Sequence, residues 1–171
     1  MRAKTIQLPT YKELCEQAPQ EIQDLIEKSK DVQQSKTWHP EGPLDIHQLI
    51  VYNRARRTND INMTIAALFH DLGKVETTYF RNGKWTAHGH EFVSSRLVEK
   101  YKTWIESLGA DFDVVYYIVK NHMRAKQIHE MRRTKRETFM NDKYYPLVNK
   151  FSEFDNMQTD YLTDIDNDID N

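Results

Sequence analysis

Four histidines, His47, His70, His90 and His122, and two aspartates, Asp71 and Asp155, carry the chemistry that this sequence can do. His70 and Asp71 are adjacent and follow the apolar run Ile65-Ala66-Ala67-Leu68-Phe69, so they occupy the last turn of a helix greasy enough to be buried. Burying an imidazole beside a carboxylate is costly unless something compensates both. A divalent cation does so, taking nitrogen and oxygen ligands together. An isolated His-Asp pair is better explained by a histidine on a helix C-terminus and a surface aspartate. That reading weakens once His47, His90, His122 and Asp155 join from separate helices, because convergence from several helices is how bundles build core metal sites. No CxxC is present, which excludes a structural zinc finger. Around these positions stand groups suited to an anionic substrate: Lys74, Arg124 two residues past His122, and Arg54 seven residues past His47 on the same helical face. Each is equally at home as a solvated helix cation. Glu91 can orient His90 or a nucleophilic water, or serve only as a helix-start carboxylate.

The elements that must position these groups are nearly all helical. Residues 1–18 read as irregular, and Pro19 opens a helix to about Lys30. Asp45 caps a helix to about Arg57, and Asp60 caps another ended by Gly73. Arg81-Asn82-Gly83-Lys84 is the turn of a small hairpin within Thr77–Thr86. Glu91 to Leu108 reads as one long helix closed by Gly109, and Asp111 or Asp113 starts another through His122. A basic loop follows, and Tyr144 to about Leu162 is the last helix, on which Phe151, Phe154 and Met157 form a stripe that turns Asp155 inward. The expected fold is all-α, a helical bundle with one β-hairpin, in a single domain with its core over about 38–162 and an acidic tail at 163–171.

Composition sets outer limits. Seven acids and no Lys or Arg lie beyond Lys150, leaving 19 of the 26 acids and all 24 bases to residues 1–150. That basic balance favours an anionic substrate. Apolar runs are too short for a membrane span, no secretory h-region opens the chain, and the single cysteine, Cys15, fits a reducing cytoplasm. Trp85 is the best placed aromatic for stacking a base, while Trp104 reads as packing. The Asp164–Asp168 run imitates a calcium loop but lacks its glycine and closing glutamate.

The stretches His39-Pro40-Glu41-Gly42…His47, Ala66-Ala67-Leu68-Phe69-His70-Asp71-Leu72-Gly73-Lys74, His88-Gly89-His90-Glu91, Asn121-His122-Met123-Arg124 and Phe151-Ser152-Glu153-Phe154-Asp155 together resemble the HD superfamily of metal-dependent phosphohydrolases. In texture the chain is similar to the HD domain attached to some bacterial CCA-adding enzymes. The resemblance covers residues 38–160. It implies that His47, His70, Asp71 and Asp155 hold one metal, and that Asp71 bridges to a second held by His90 and His122; a mononuclear version uses the first group alone. It favours His90 over His88 as the ligand, leaving His88 to support the ligands from outside or to contact substrate, and gives Lys74 a substrate phosphate. His39 is then structural, and His129 has no role. The implied activity is hydrolysis of a phosphate ester of a nucleotide or RNA end, a phosphomonoester or cyclic phosphodiester. Nucleoside triphosphate or alarmone hydrolysis shares the ligands, although the alarmone hydrolases' Glu-Asp signature is missing. A metal-stabilised nucleotide- or RNA-binding module without catalysis is the alternative from another class. One or two ions among Mn, Co, Ni, Fe, Mg and Zn suit the donors, with identity left open.

Overall fold

The computed structural model describes residues 7–165, in which short capped helices are arranged around one that is buried on every side. This central helix, α4 (Ile61–Phe69), starts where Asp60 Oδ1 accepts from the amides of Asn62 (2.9 Å) and Met63 (3.2 Å). All residues from Met63 to Phe69 are buried. A helix apolar all round must be covered all round. Here α3 (Leu44–Arg57), α6 (His90–Lys100) and α8 (Phe112–Lys126) supply the cover, and α10 (Tyr145–Asp155) packs on α8 and α3. Ile50, Val51, Ile65, Leu68, Val98, Val115, Ile118, Val119 and Phe151 form the shared core.

Between α4 and α6 lie the four-residue helix α5 (Lys74–Thr77) and an antiparallel hairpin, β1 (Tyr79–Arg81) and β2 (Lys84–Thr86). Phe80 pairs with Trp85 across the ladder, and Asn82 (φ 51°) and Gly83 (φ 76°) make the turn with both central residues left-handed.

Several expected boundaries move. The N-terminal region is helical in part: α1 (Tyr11–Gln17) is capped by Thr10 and anchored by the fully buried Leu14, and α2 (Gln20–Ser29) follows Pro19. Asp45 is not a cap, because α3 begins one residue earlier, directly after Pro43. The long helix expected over Glu91–Leu108 breaks at Tyr101 (φ −105°, ψ 25°), whose hydroxyl donates to Glu21, and resumes as α7 (Lys102–Ser107). The basic loop contains α9 (Arg133–Met140), held by a satellite cluster of Phe139, Val148 and Ala125.

The largest correction concerns the C-terminus. The last helix stops at Asp155, and the chain returns to α3 as α11 (Leu162–Ile165). Asp164, expected in a solvated tail, is 4% exposed. Its carboxylate pairs with Arg54 (2.8 Å) and Arg57, and its carbonyl accepts from Asn53 Nδ2 (2.6 Å). Arg54, expected at the substrate, is consumed by this contact: its guanidinium also donates to the carbonyls of Phe154 (3.0 Å), Asn156 (2.7 Å) and Asp160 (3.2 Å). The rest of the acidic tail, 166–171, lies outside the described residues.

Candidate metal centre

The six expected ligand side chains arrive from five places in the chain, His70 and Asp71 together, and each is buried. His47 projects from the first turn of α3, His70 and Asp71 end α4, His90 opens α6, His122 lies in the last turns of α8, and Asp155 is the final residue of α10. Gly73 brings two of these elements together. Its φ of −60° is helical, so it is not the left-handed stop the sequence suggested. What it provides is closeness. A Cβ on Gly73 would stand 2.2 Å from the His90 carbonyl oxygen and 2.9 Å from the Ser94 amide nitrogen. Its own amide donates to Ser94 Oγ at 2.8 Å, docking the end of α4 onto the first turn of α6.

The result is two overlapping donor sets centred on Asp71. Oδ2 lies 3.2 Å from His47 Nε2 and 3.3 Å from His70 Nε2. Oδ1 lies 3.1 Å from His90 Nε2 and 3.3 Å from His122 Nε2. Asp155 Oδ1 closes the first set at 2.8 Å from His47 Nε2 and 3.4 Å from His70 Nε2. One ligand atom each from His47, His70, Asp71 and Asp155 falls within 4.8 Å of the others, and so does one each from Asp71, His90 and His122.

Hydrogen bonding at the far side of the rings indicates what belongs between these atoms. Nδ1 of His70, His90 and His122 reaches the carbonyl of Ala67 (2.8 Å), Ala87 (2.8 Å) and Val119 (2.6 Å). A carbonyl only accepts, so each Nδ1 carries a proton, which fixes the tautomer whose Nε2 is the atom free to take a metal. His90 Nε2 and His122 Nε2 stand 3.1 Å apart with Asp71 Oδ1 against both. In the tautomer that these contacts fix, three lone-pair atoms this close are held together best by a cation among them. The donor set therefore fits a divalent metal, with the outer carbonyls fixing ring orientation. The acids stay ionised. Burial works against charge on Asp71 and Asp155, but neighbouring histidines with Lys74 for the first, and Lys126 with His70 for the second, hold both well below the usual carboxylate range. Burial lowers His122 to about 4. His47 is raised to about 10 against its own burial, by hydrogen bonds to Asp155, Asp71 and Glu41. That negative potential is satisfied by a proton or, equally, by a metal ion.

The HD domain family profile matches residues 44–165, from the start of α3 to the end of α11. The chain belongs to the HD domain family. Proteins of this family are in general metal-dependent hydrolases, and the buried histidine–aspartate cluster accords with that. A multifunctional CCA protein of Herminiimonas arsenicoxydans is 40% identical over 70 residues, which is 40% of this chain and 16% of that protein. The chain thus spans only a small part of the length of this relative. No solved structure matches.

The remaining expected residues divide around this HD centre. Lys74 is buried, with its ammonium 2.9 Å from both Asp71 Oδ2 and Gln34 Oε1. Glu91 lies 3.8 Å from His90 Nδ1, too far to orient it, and the Ala87 carbonyl does that instead. Arg124 is exposed on α8 with its guanidinium 4.7 Å from the Phe139 ring, facing α9 rather than the donor cluster. His88 is exposed beside the hairpin, its ring 6.4 Å from that of Tyr79.

Two charged residues were missed. Lys126 Nζ sits 2.9 Å from Asp155 Oδ2, and the i to i+4 spacing from His122 on one helix face was the available signal. Glu41, in the proline-bounded loop before α3, is wholly buried, and Oε1 accepts from His47 Nδ1 (2.7 Å) and His39 Nδ1 (3.0 Å). Burial opposes its charge, yet these histidine contacts lower it to about 2. It fixes the face that His47 turns to Asp71. Glu41→Gln should therefore weaken metal affinity about ten- to hundredfold, as outer partners of ligating histidines commonly do. Competition with a chromophoric chelator measures it, and an unchanged affinity would remove Glu41 from the site.

Proposed function

We propose that this HD domain is a metal-dependent phosphohydrolase acting on the phosphate ester of a nucleotide or RNA end, with His47, His70, Asp71 and Asp155 holding one ion and Asp71, His90 and His122 a second. The observation that carries the reading is the convergence of four histidine Nε2 atoms on the two oxygens of Asp71. Bound divalent ions supply Lewis-acid polarisation of the phosphoryl group and lower the pKa of water at the site. Lys74 contributes charge from the protein. An ammonium has three donors and two are engaged, so one is free to meet a phosphate oxygen without releasing Asp71. Glu91, with its side chain 17% exposed and 3.8 Å from His90 Nδ1, would bind water beside the second donor set. His88, exposed and two residues before His90, would contact the substrate. The curated CCA relative gives the nucleotide or RNA-end reading its direction.

Metal-stripped protein resupplied with Mn, Co, Ni, Fe, Mg or Zn should hydrolyse members of a panel of nucleoside monophosphates and 2′,3′-cyclic phosphates. Chelation should also lower the Tm, since metal-binding free energy is folding free energy here. Triphosphates or alarmones alone being cleaved would move the substrate class, and a metal-dependent Tm shift with no turnover on any substrate would identify a binding module.

A further inference from the structure

The hairpin that interrupts the chain between Lys74 and His90 has no stabilising role that explains its composition. Tyr79, Phe80 and Trp85 are 40%, 59% and 38% exposed, and every residue of β1 is exposed. A two-stranded ribbon with aromatic residues facing water is an unfavourable arrangement unless something covers them. The register sorts its side chains into two faces. Phe80 and Trp85 pair directly, ring centroids 5.1 Å apart, on one face. Tyr79 and Thr86, with Arg81 and Lys84, occupy the other. That second face is continuous with a shallow cleft of about 180 Å³ lined by Tyr79, Arg81, Asn82, Lys84, Thr86 and His88. The lining holds two cations and no carboxylate, and among the described residues neither Arg81 nor Lys84 makes an ion pair with any acid.

Position links this cleft to the metal centre. His88 lies two residues before His90, so their Cα atoms are no more than about 7.6 Å apart. At its other end the hairpin begins two residues beyond α5, whose first residue is Lys74. Unpaired cations beside an exposed aromatic on one face, here Arg81 and Lys84 with Tyr79, are the combination that tracks a single-stranded nucleic acid, phosphates on the charges and a base on the ring. Charge complementarity and continuity with the candidate phosphate site together favour this occupant over an apolar protein segment, which would not require Arg81 and Lys84.

We infer that the hairpin is a docking platform for single-stranded RNA, seating the nucleotides next to the terminal phosphate that enters the metal centre. The inference rests on the phosphohydrolase reading above and narrows its substrate to the end of a strand rather than a free nucleotide.

Binding of a fluorescein-labelled octaribonucleotide with a 3′-phosphate, followed by anisotropy, tests it without requiring turnover. Tyr79→Ala should raise the Kd about tenfold, by loss of base stacking on the cleft face. Arg81→Gln with Lys84→Gln should reduce the slope of log K against log salt by about 1.4, since each phosphate neutralised on a single strand contributes about 0.7. Both variants should hydrolyse a 3′-phosphorylated mononucleotide at the parent rate, because these side chains lie outside the donor cluster. No binding of the octamer by the parent, or equal binding by parent and both variants, would overturn the platform while leaving mononucleotide hydrolysis intact. Conversely, absent turnover with the binding losses as expected would condemn the phosphohydrolase reading and keep the platform.

Discussion

Asp71→Ala should leave the protein unable to retain divalent metal and lower hydrolysis by on the order of a thousandfold or more. No other side chain is shared by both donor sets. Each of its oxygens faces two imidazoles, at 3.1–3.3 Å, so its removal takes an anionic ligand from both sets at once. It also strips Lys74 of its counter-charge and leaves a buried ammonium with Gln34 alone. Asp71→Asn separates charge from shape: it keeps the packing, so the fold should survive while metal is still lost. Elemental analysis of the purified variants against the parent decides the matter. Full metal occupancy in Asp71→Ala would remove the centre of the assignment.

Gly73→Ala is expected to damage both stability and the second donor set, although alanine suits the backbone there. The φ of −60° raises no strain, so space is the whole difficulty. The new methyl would meet the His90 carbonyl and the Ser94 amide, which are backbone atoms at the start of α6 and cannot rotate away as a side-chain tip could. Relief requires α6 to recede from α4, carrying His90 from Asp71. Overpacking of this kind costs about 1–3 kcal/mol, which for a chain of this size lowers Tm by roughly 2–12 °C. Metal stoichiometry should fall towards one ion if His90 is displaced while His47, His70 and Asp155 remain. An alanine variant with the parent's Tm and stoichiometry would mean the α4–α6 contact is slack.

Local chemistry was legible in the sequence, and what it did not reveal depends on distant partners. Asp60 and Asp111 could be read as caps because capping is settled within three residues, and the Asn82-Gly83 turn for the same reason. The helical ligand order was visible because histidines beside apolar runs are unusual enough to be noticed. Arg54 was misread because its distance in sequence from its true partners, 100 residues and more, leaves no local trace. Asp164 was taken for tail by its acidic neighbours, when its burial depends on two arginines on α3. The break at Tyr101 likewise follows a contact with Glu21, 80 residues earlier. Glu41 belongs to a loop whose shape two prolines fix but whose contacts they do not announce.

The clasp of Arg54 on the returning C-terminal strand of chain has a consequence for how the molecule comes into being. Asp155 reaches His47 across 108 positions, and its helix is held in place from residues 156 to 164 by the same guanidinium. On a ribosome, α3 and α4 emerge and can pack long before either aspartate has been translated, and such distant closures are slow to form. Until they form, His47, His70 and Asp71 stand without Asp155, the remaining member of their set. On the ligand assignment proposed above, complete metal capture is deferred to the end of synthesis, and a prematurely terminated chain, however helical, is born without Asp155 for the first ion.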